Sequence, residues 1–423
     1  MNLPFLIFSD KKGKILTHPY LRMVGASLDK FVIPGDKELI RLPQDSSLFY
    51  IPDSLPLGFN PKTGKIESLR NFNGRRVFAV ATTPLPAYLR IFNTAAIMSS
   101  KKKILPFLAY TACGFYGGNF YIAAKRVDKR VRQSPRFYNN LEVKKSVKKF
   151  YKRYAENRLY QHLSNCALNY NCLAAKNLFL KRWEAPLPTS RFCNAKCIGC
   201  ISYQDSDCVA PHKRINFKPK VDEVAEIMAG HLRGAREAIV SFGQGCEGEP
   251  LLEADLIEKA IRAVRKKIHK GTININTNAS MPKKIKLLCE TGIDSFRVSL
   301  SSPSEKFYNF YFKPINYKFV DVLKSIKIMK RYNKFVSVNL FVFPGFSDSA
   351  SQIKSFIKLI KNEGIDMVQW RNLNIDNEYF LKKIPHKNLR PQGILNLLSS
   401  VKEQCPRLKH GYFNLPKEHF HSA

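Results

Sequence analysis

This 423-residue sequence lacks a long uninterrupted apolar run, a basic leader and any convincing Ser-His-Asp or paired-carboxylate constellation, and it is poor in acidic residues. Each absence excludes something. The apolar run Met1-Asn-Leu-Pro-Phe-Leu-Ile-Phe8 has no basic n-region and meets Ser9-Asp-Lys-Lys-Gly13 at once, so no signal peptide is expected. One stretch, Ile104 to Ala124 between Lys101-Lys-Lys103 and Lys125-Arg126, approaches the length of a membrane span. Pro106, Gly114, Gly117, Gly118 and Asn119 interrupt it, and a buried β-hairpin turning at Gly117-Gly-Asn119 is expected there instead of a span. Asp and Glu number 33 against 70 Lys and Arg, a net charge of +37. A polyanion such as RNA would complement that charge. Basic residues are nevertheless spread over both halves of the chain, as lysines placed for solubility would be.

An apolar fraction of 44% with 24% charged residues is that of a soluble globular protein, long enough for two or three domains. The ten cysteines do not read as a disulfide framework, because the chain is long and three of them stand close together at metal-centre spacing. A reducing cytoplasmic setting is expected.

Four regions follow from the patterning. Residues 1–135 read as a β-rich amino-terminal domain of short strands and turns. Residues 136–182 form a basic helical connector, with one helix from about Asn140 to Leu180. Val143, Val147, Phe150, Tyr151 and Tyr154 recur on it at helical spacing, with Lys144, Lys145, Lys148, Lys149 and Lys152 opposite. With Tyr160 nearby, that face can bind nucleic acid or simply be solvated. Cys166 and Cys172 in this region can ligate a second cluster, although two cysteines without further partners are more often buried apolar residues. From residue 183 six strand patterns alternate with six helical ones, over a core at 183–390 and a carboxyl-terminal helix and tail at 391–423 that holds the sixth helix, Pro391 to Gln404. Such a series demands parallel strands with right-handed crossovers, hence an open α/β sheet or barrel with its chemistry at the carboxyl ends of the strands.

After the first of these strands comes Cys193-Asn-Ala-Lys-Cys197-Ile-Gly-Cys200. Three thiolates in one short loop can share a metal centre. A cluster of four irons held by only three cysteines leaves one iron free to bind a small molecule, whereas a structural zinc site would need a fourth ligand such as Cys208 or His212. After the second strand stands Ser241-Phe-Gly-Gln-Gly-Cys-Glu247-Gly-Glu-Pro250, where glycines admit close backbone approach and Glu249 offers an anionic acceptor. Thr277-Asn-Ala-Ser280 ends the third strand, and Arg297, Ser299 and Ser301 alternate through and beyond the fourth.

The spacing CxxxCxxC, with these segments in register behind it, resembles the radical S-adenosylmethionine family over roughly residues 183 to 390. The resemblance implies a partial (β/α)6 TIM-like barrel behind an α+β amino-terminal region. It implies a 4Fe-4S cluster on Cys193, Cys197 and Cys200, with S-adenosylmethionine bound near Gly248, Glu249, Asn278 and Ser299. It also implies an external flavodoxin- or ferredoxin-like electron donor. In such a family the reduced cluster cleaves S-adenosylmethionine, and the resulting 5'-deoxyadenosyl radical takes hydrogen from a substrate. Glu247 stands where the family's first glycine is, and Gly199 replaces its aromatic before the third cysteine, which leaves Ile198 or the Phe343-Pro-Gly345 turn to contact adenine. Gln369, Arg371, Asn372, Asn374 and Asp376 at the sixth strand end either hold a polar substrate or cap the strand locally. Cys208 and Cys246 near the same mouth are candidate thiol participants or buried structural residues. The substrate is left open among small molecule, peptide and RNA. An RNA-modifying enzyme and a non-catalytic iron-sulfur or zinc protein are the alternatives.

Overall fold

The computed structural model describes residues 3–99, 103–204, 208 and 210–422. Met1 and Asn2 of the first apolar run and Lys101 and Lys102 beside the apolar stretch lie outside the described residues. The chain divides into two compact units. One comprises Met1–Lys129, Phe341–Ile357 and Trp370–Pro406; the other comprises Arg130–Leu340, Lys358–Gln369 and Arg407–Ala423.

The first unit is built on antiparallel strands. Phe5–Ser9 lies centrally, flanked by Ile15–Met23 and by Cys113–Tyr116, which turns back as Asn119–Ile122. This is the expected hairpin. Gly117 and Gly118 both take positive φ (54° and 77°), the conformation that a two-residue hairpin turn matching strand twist requires. Ile7, Val80, Cys113, Ile122 and Ala124 form a core beneath it. Among the described residues no helix is long and apolar enough to cross a membrane.

In the second unit the connector is three helices instead of one: α1 (Asn140–Arg153), α2 (Arg158–Leu168) and α3 (Leu173–Phe179). Asparagines break it. Asn157 Oδ1 accepts from the Leu159 N–H at 3.0 Å to start α2, and Asn171 takes a left-handed φ of 53° before α3. Tyr160 is buried, with Tyr154 stacked on it at 4.6 Å, so of the three tyrosines considered for nucleic acid only Tyr151 stands exposed. Lys144, Lys145, Lys148, Lys149 and Lys152 are all exposed, opposite the buried Val143 and Val147.

Seven strands then pair in chain order: β1 (Arg182–Pro186), β2 (Arg236–Phe242), β3 (Thr272–Thr277), β4 (Ser295–Leu300), β5 (Phe335–Val342), β6 (Met367–Asn372) and β7 (Lys409–Gly411). The first six match the expected strands; the seventh comes from the tail. The pairings β1–β2, β2–β3, β3–β4, β4–β5 and β6–β7 are parallel, the fold being a partial TIM-like barrel. The helices between β1 and β6 are α4 (Val221–Gly234), α5 (Ala254–Arg265), α6 (Pro282–Cys289), α7 (Glu305–Phe312), α8 (Phe319–Arg331) and α9 (Ala350–Glu363). On α5, Ile257, Ala260, Ile261 and Val264 are buried at helical spacing, the stripe an amphipathic helix lays on a sheet. Side chains alternate across the sheet. Val240, Ile273, Ile275, Phe296, Val298, Val336 and Val338 make one face wholly apolar, the one such helices cover. The other face carries Glu184, Ser241, Asn274, Asn276, Ser295, Arg297, Ser337, Asn339 and Gln369.

Candidate active site

The site begins where β1 and β2 run out. Leading into Cys193, the loop after β1 is gripped by the loop after β2. The Gly248 N–H donates to the Ser190 carbonyl and the Glu249 N–H to that of Phe192, each at 2.8 Å. The approach is so close that a Cβ on Gly248 would collide with the Phe192 carbonyl and stand 3.2 Å from the Cys193 nitrogen. Gly243, at φ 74°, is pressed in the same way against the Asn276 backbone.

Glu247, the departure from the resembled motif, has a role that was not foreseen. Its buried carboxylate accepts from the Thr189 N–H (2.8 Å), Thr189 Oγ1 (3.1 Å), the Ser190 N–H (3.0 Å) and the Gly243 N–H. A glycine there would leave those donors without this acceptor. Burial pushes its pKa up to about 7, against the pull of these hydrogen bonds.

A second grip holds the cysteine loop from the other side. Lys196 and Ile198 donate through their N–H groups to the carbonyls of Phe312 and Tyr311 at the end of α7, at 2.9 and 3.0 Å. Asn194 is held by side chains as well: Asn278 Nδ2 donates to its Oδ1 (2.8 Å), and its own Nδ2 donates to Ser280 Oγ (2.9 Å). Cys193, Cys197 and Cys200 are each partly buried. Burial, and then the charge of Glu249, push the Cys193 thiol up to about 12. Cys197 is raised as well, by burial first and then by its neighbours Cys200 and Cys193. Two buried thiols raised in this way, Cys193 and Cys197, favour ionisation around a strong cation. Soft thiolate donors on a backbone loop pinned from both sides fit an iron-sulfur cluster. Arg214 Nη2 stands 3.8 Å from Cys200 Sγ and also donates to Ser202 Oγ (3.1 Å), a supporting contact that the sequence pattern did not signal.

Glu249 and Asn278 are brought to this loop, but their side chains are largely taken up by the protein. Glu249, buried and raised to about 7 by burial, accepts from the Leu251 N–H (3.1 Å), the Asn278 N–H (2.9 Å) and Thr277 Oγ1. Its carboxylate therefore caps the turn Pro250–Glu253 and ties β2 to β3. Ser299 sits half-buried on the polar face of β4, in register with Asn339. Below it runs a chain of hydrogen bonds: Arg297 Nη1 to Gln369 Oε1 (3.2 Å), Gln369 Nε2 to Asn414 Oδ1 (2.7 Å), and Asn414 Nδ2 and Gln244 Nε2 to Glu184 Oε1 (2.8 and 2.7 Å). The alternation Ser295-Phe-Arg-Val-Ser-Leu300 was the legible signal for Arg297; the tail residue Asn414 had none.

The first unit answers two expectations. Asn372 Oδ1 accepts from the Arg90 N–H at 2.8 Å, and Asp376 accepts from the Leu105 N–H at 2.9 Å while capping the helix Asn377–Lys383, so both are structural. At the Phe343-Pro-Gly345 turn, the Pro344 carbonyl accepts from the Leu28 N–H at 3.0 Å, and Phe343 is fully buried against Phe380. These groups are thus occupied by their own unit.

A model of the Radical SAM superfamily matches residues 187–360. The match places residues 187–360 in the radical SAM superfamily. An uncharacterized protein of Methanocaldococcus jannaschii is 25% identical over 222 residues, 51% of this chain and 68% of that one. Among solved structures, Streptococcus suis SuiB bound to S-adenosylmethionine is similar at 15% identity and a TM-score of 0.37, over 60% of this chain and 54% of SuiB. A radical SAM methyltransferase from Sphaerobacter thermophilus gives 12% and 0.40, over 54% of this chain and 65% of that one. The chain spans about half the length of SuiB. The radical SAM match takes in the cysteine loop, Gly248, Glu249, Asn278 and Ser299.

Proposed function

We propose that the chain holds a 4Fe-4S cluster on Cys193, Cys197 and Cys200 and cleaves S-adenosylmethionine reductively there, taking its electron from a flavodoxin- or ferredoxin-like donor. The observation that carries this reading is the double grip on one three-thiol loop, by Gly248 and Glu249 on one side and the end of α7 on the other. A cluster bound in this way supplies an iron without a cysteine ligand, at which reduced S-adenosylmethionine yields methionine and a 5'-deoxyadenosyl radical. The chain's own residues have a positioning task. Gly248 and Glu249 keep backbone close to the cysteine loop, Asn278 fixes Asn194 inside it, and Ser299 offers a hydroxyl on the polar face of the sheet. Glu249, already bonded to three protein donors, acts chiefly by shaping the backbone that meets the methionine amino group. No general base is needed for this step.

The polar face of the sheet supports a polar substrate, since an apolar molecule there would leave groups such as Asn339 Oδ1 without a partner. The test is anaerobic reconstitution followed by iron analysis and a 5'-deoxyadenosine assay. Wild-type protein gives iron and product, and Cys193→Ala, Cys197→Ala and Cys200→Ala each lose both. Iron retained in all three variants sinks the assignment.

A further inference from the structure

Beside this site lies a second cluster of metal-binding side chains. His162 and Cys166 stand four residues apart on α2, hence on one face, and Cys246 reaches them from the loop after β2. The three ligand atoms all lie within 4.8 Å of one another, with Cys166 Sγ 3.6 Å from His162 Nε2. Two ligands of one tetrahedral zinc, with bonds of about 2.0–2.3 Å, stand at roughly such a separation. The thiolates of an iron-sulfur cubane each bind a different iron and are spread more widely. His212 lies next to this trio, outside its mutual 4.8 Å range. His212 packs against Gly245, its Cδ2 only 3.2 Å from where a Cβ would stand, and the Ile215 N–H donates to the Cys246 carbonyl at 2.8 Å, holding that segment to the loop.

We propose that His162, Cys166 and Cys246, joined by His212 on a rotation of its ring, form a structural site for a single zinc-type divalent ion. Two thiolates, two neutral imidazoles and a divalent cation sum to zero charge, the combination that a site with buried Cys166 and Cys246 tolerates best. Four protein ligands leave no open position, so the ion is a staple. It ties α2 to the loop that carries Glu247, Gly248 and Glu249, and so stiffens the grip on the cysteine loop from outside. The site is independent of the iron-sulfur reading, and the two can fail separately.

The experiment is zinc analysis of the full-length protein, with cobalt(II) titration of protein stripped by a chelator. About one zinc per chain is expected, together with the visible and thiolate charge-transfer bands of tetrahedral cobalt. C166S and C246S lose both signals, H212A weakens cobalt binding by about tenfold or more, and the triple variant C193A/C197A/C200A keeps the zinc. Wild-type protein that binds neither zinc nor tetrahedral cobalt overturns the proposal, whether or not the variants fold. So does zinc that is lost from the triple variant and kept in C166S, or iron in place of zinc at these residues.

Discussion

At the scale of single residues, the loop after β2 is the most sensitive part of the molecule. Gly248→Ala places a methyl group against the Phe192 carbonyl, and backbone cannot retreat there without moving Cys193. We expect about 2–4 kcal/mol of lost stability and a loss of iron from the reconstituted protein, measured by denaturant titration and iron analysis. Glu247→Gln is expected to cost about 1–3 kcal/mol, because one end of the amide turns an N–H toward a backbone donor; equal stability to wild type would contradict its role as acceptor for Thr189, Ser190 and Gly243. Sequence made the glycine's role legible, since only a residue without Cβ tolerates such approach. It could not make Glu247's role legible, because the donors that the carboxylate satisfies lie more than fifty residues upstream as well as four residues before it.

At the scale of elements, the strands of the sheet were readable because polar and apolar residues alternate on them, and a period of two needs no tertiary knowledge. The connector was not, because α1, α2 and α3 share one amphipathic pattern while the breaks rest on Asn157 and Asn171, whose effect is conformational. The start of α2 is tied to the start of α4. Arg158 donates to Glu223 through Nε (2.8 Å), Nη2 (2.7 Å) and its backbone N–H (3.0 Å), and the Lys220 N–H donates at 2.6 Å. Burial alone would raise the Glu223 carboxyl, but these bonds hold it down to about 2. A depressed acid stabilises the fold above its unfolded pKa of about 4.3, and that contribution is lost as pH falls toward 2. With the solvent-exposed Arg158 discounted, the loss is about 1–2 kcal/mol. Acid titration of Glu223→Gln should lack this component between about pH 4 and 2; an unchanged titration would show that the pair does not couple the two helices.

At the scale of the whole molecule, a net charge of +37 favours polyanions, and the exposed lysines of α1 are its most ordered display. If RNA is the substrate class, binding weakens steeply with salt, and replacing Lys144, Lys145, Lys148 and Lys149 by Gln lowers the salt slope by about three to four. RNA binding unchanged by that replacement would assign the lysines to solubility. Neither result bears on the central claim, which concerns the three-thiol loop. Electron paramagnetic resonance of the reduced, anaerobically reconstituted protein, with and without S-adenosylmethionine, tests it most directly. The account predicts a 4Fe-4S signal that changes when S-adenosylmethionine is added and that disappears in Cys197→Ala. A signal indifferent to S-adenosylmethionine, or zinc on these three cysteines in place of iron, would contradict it.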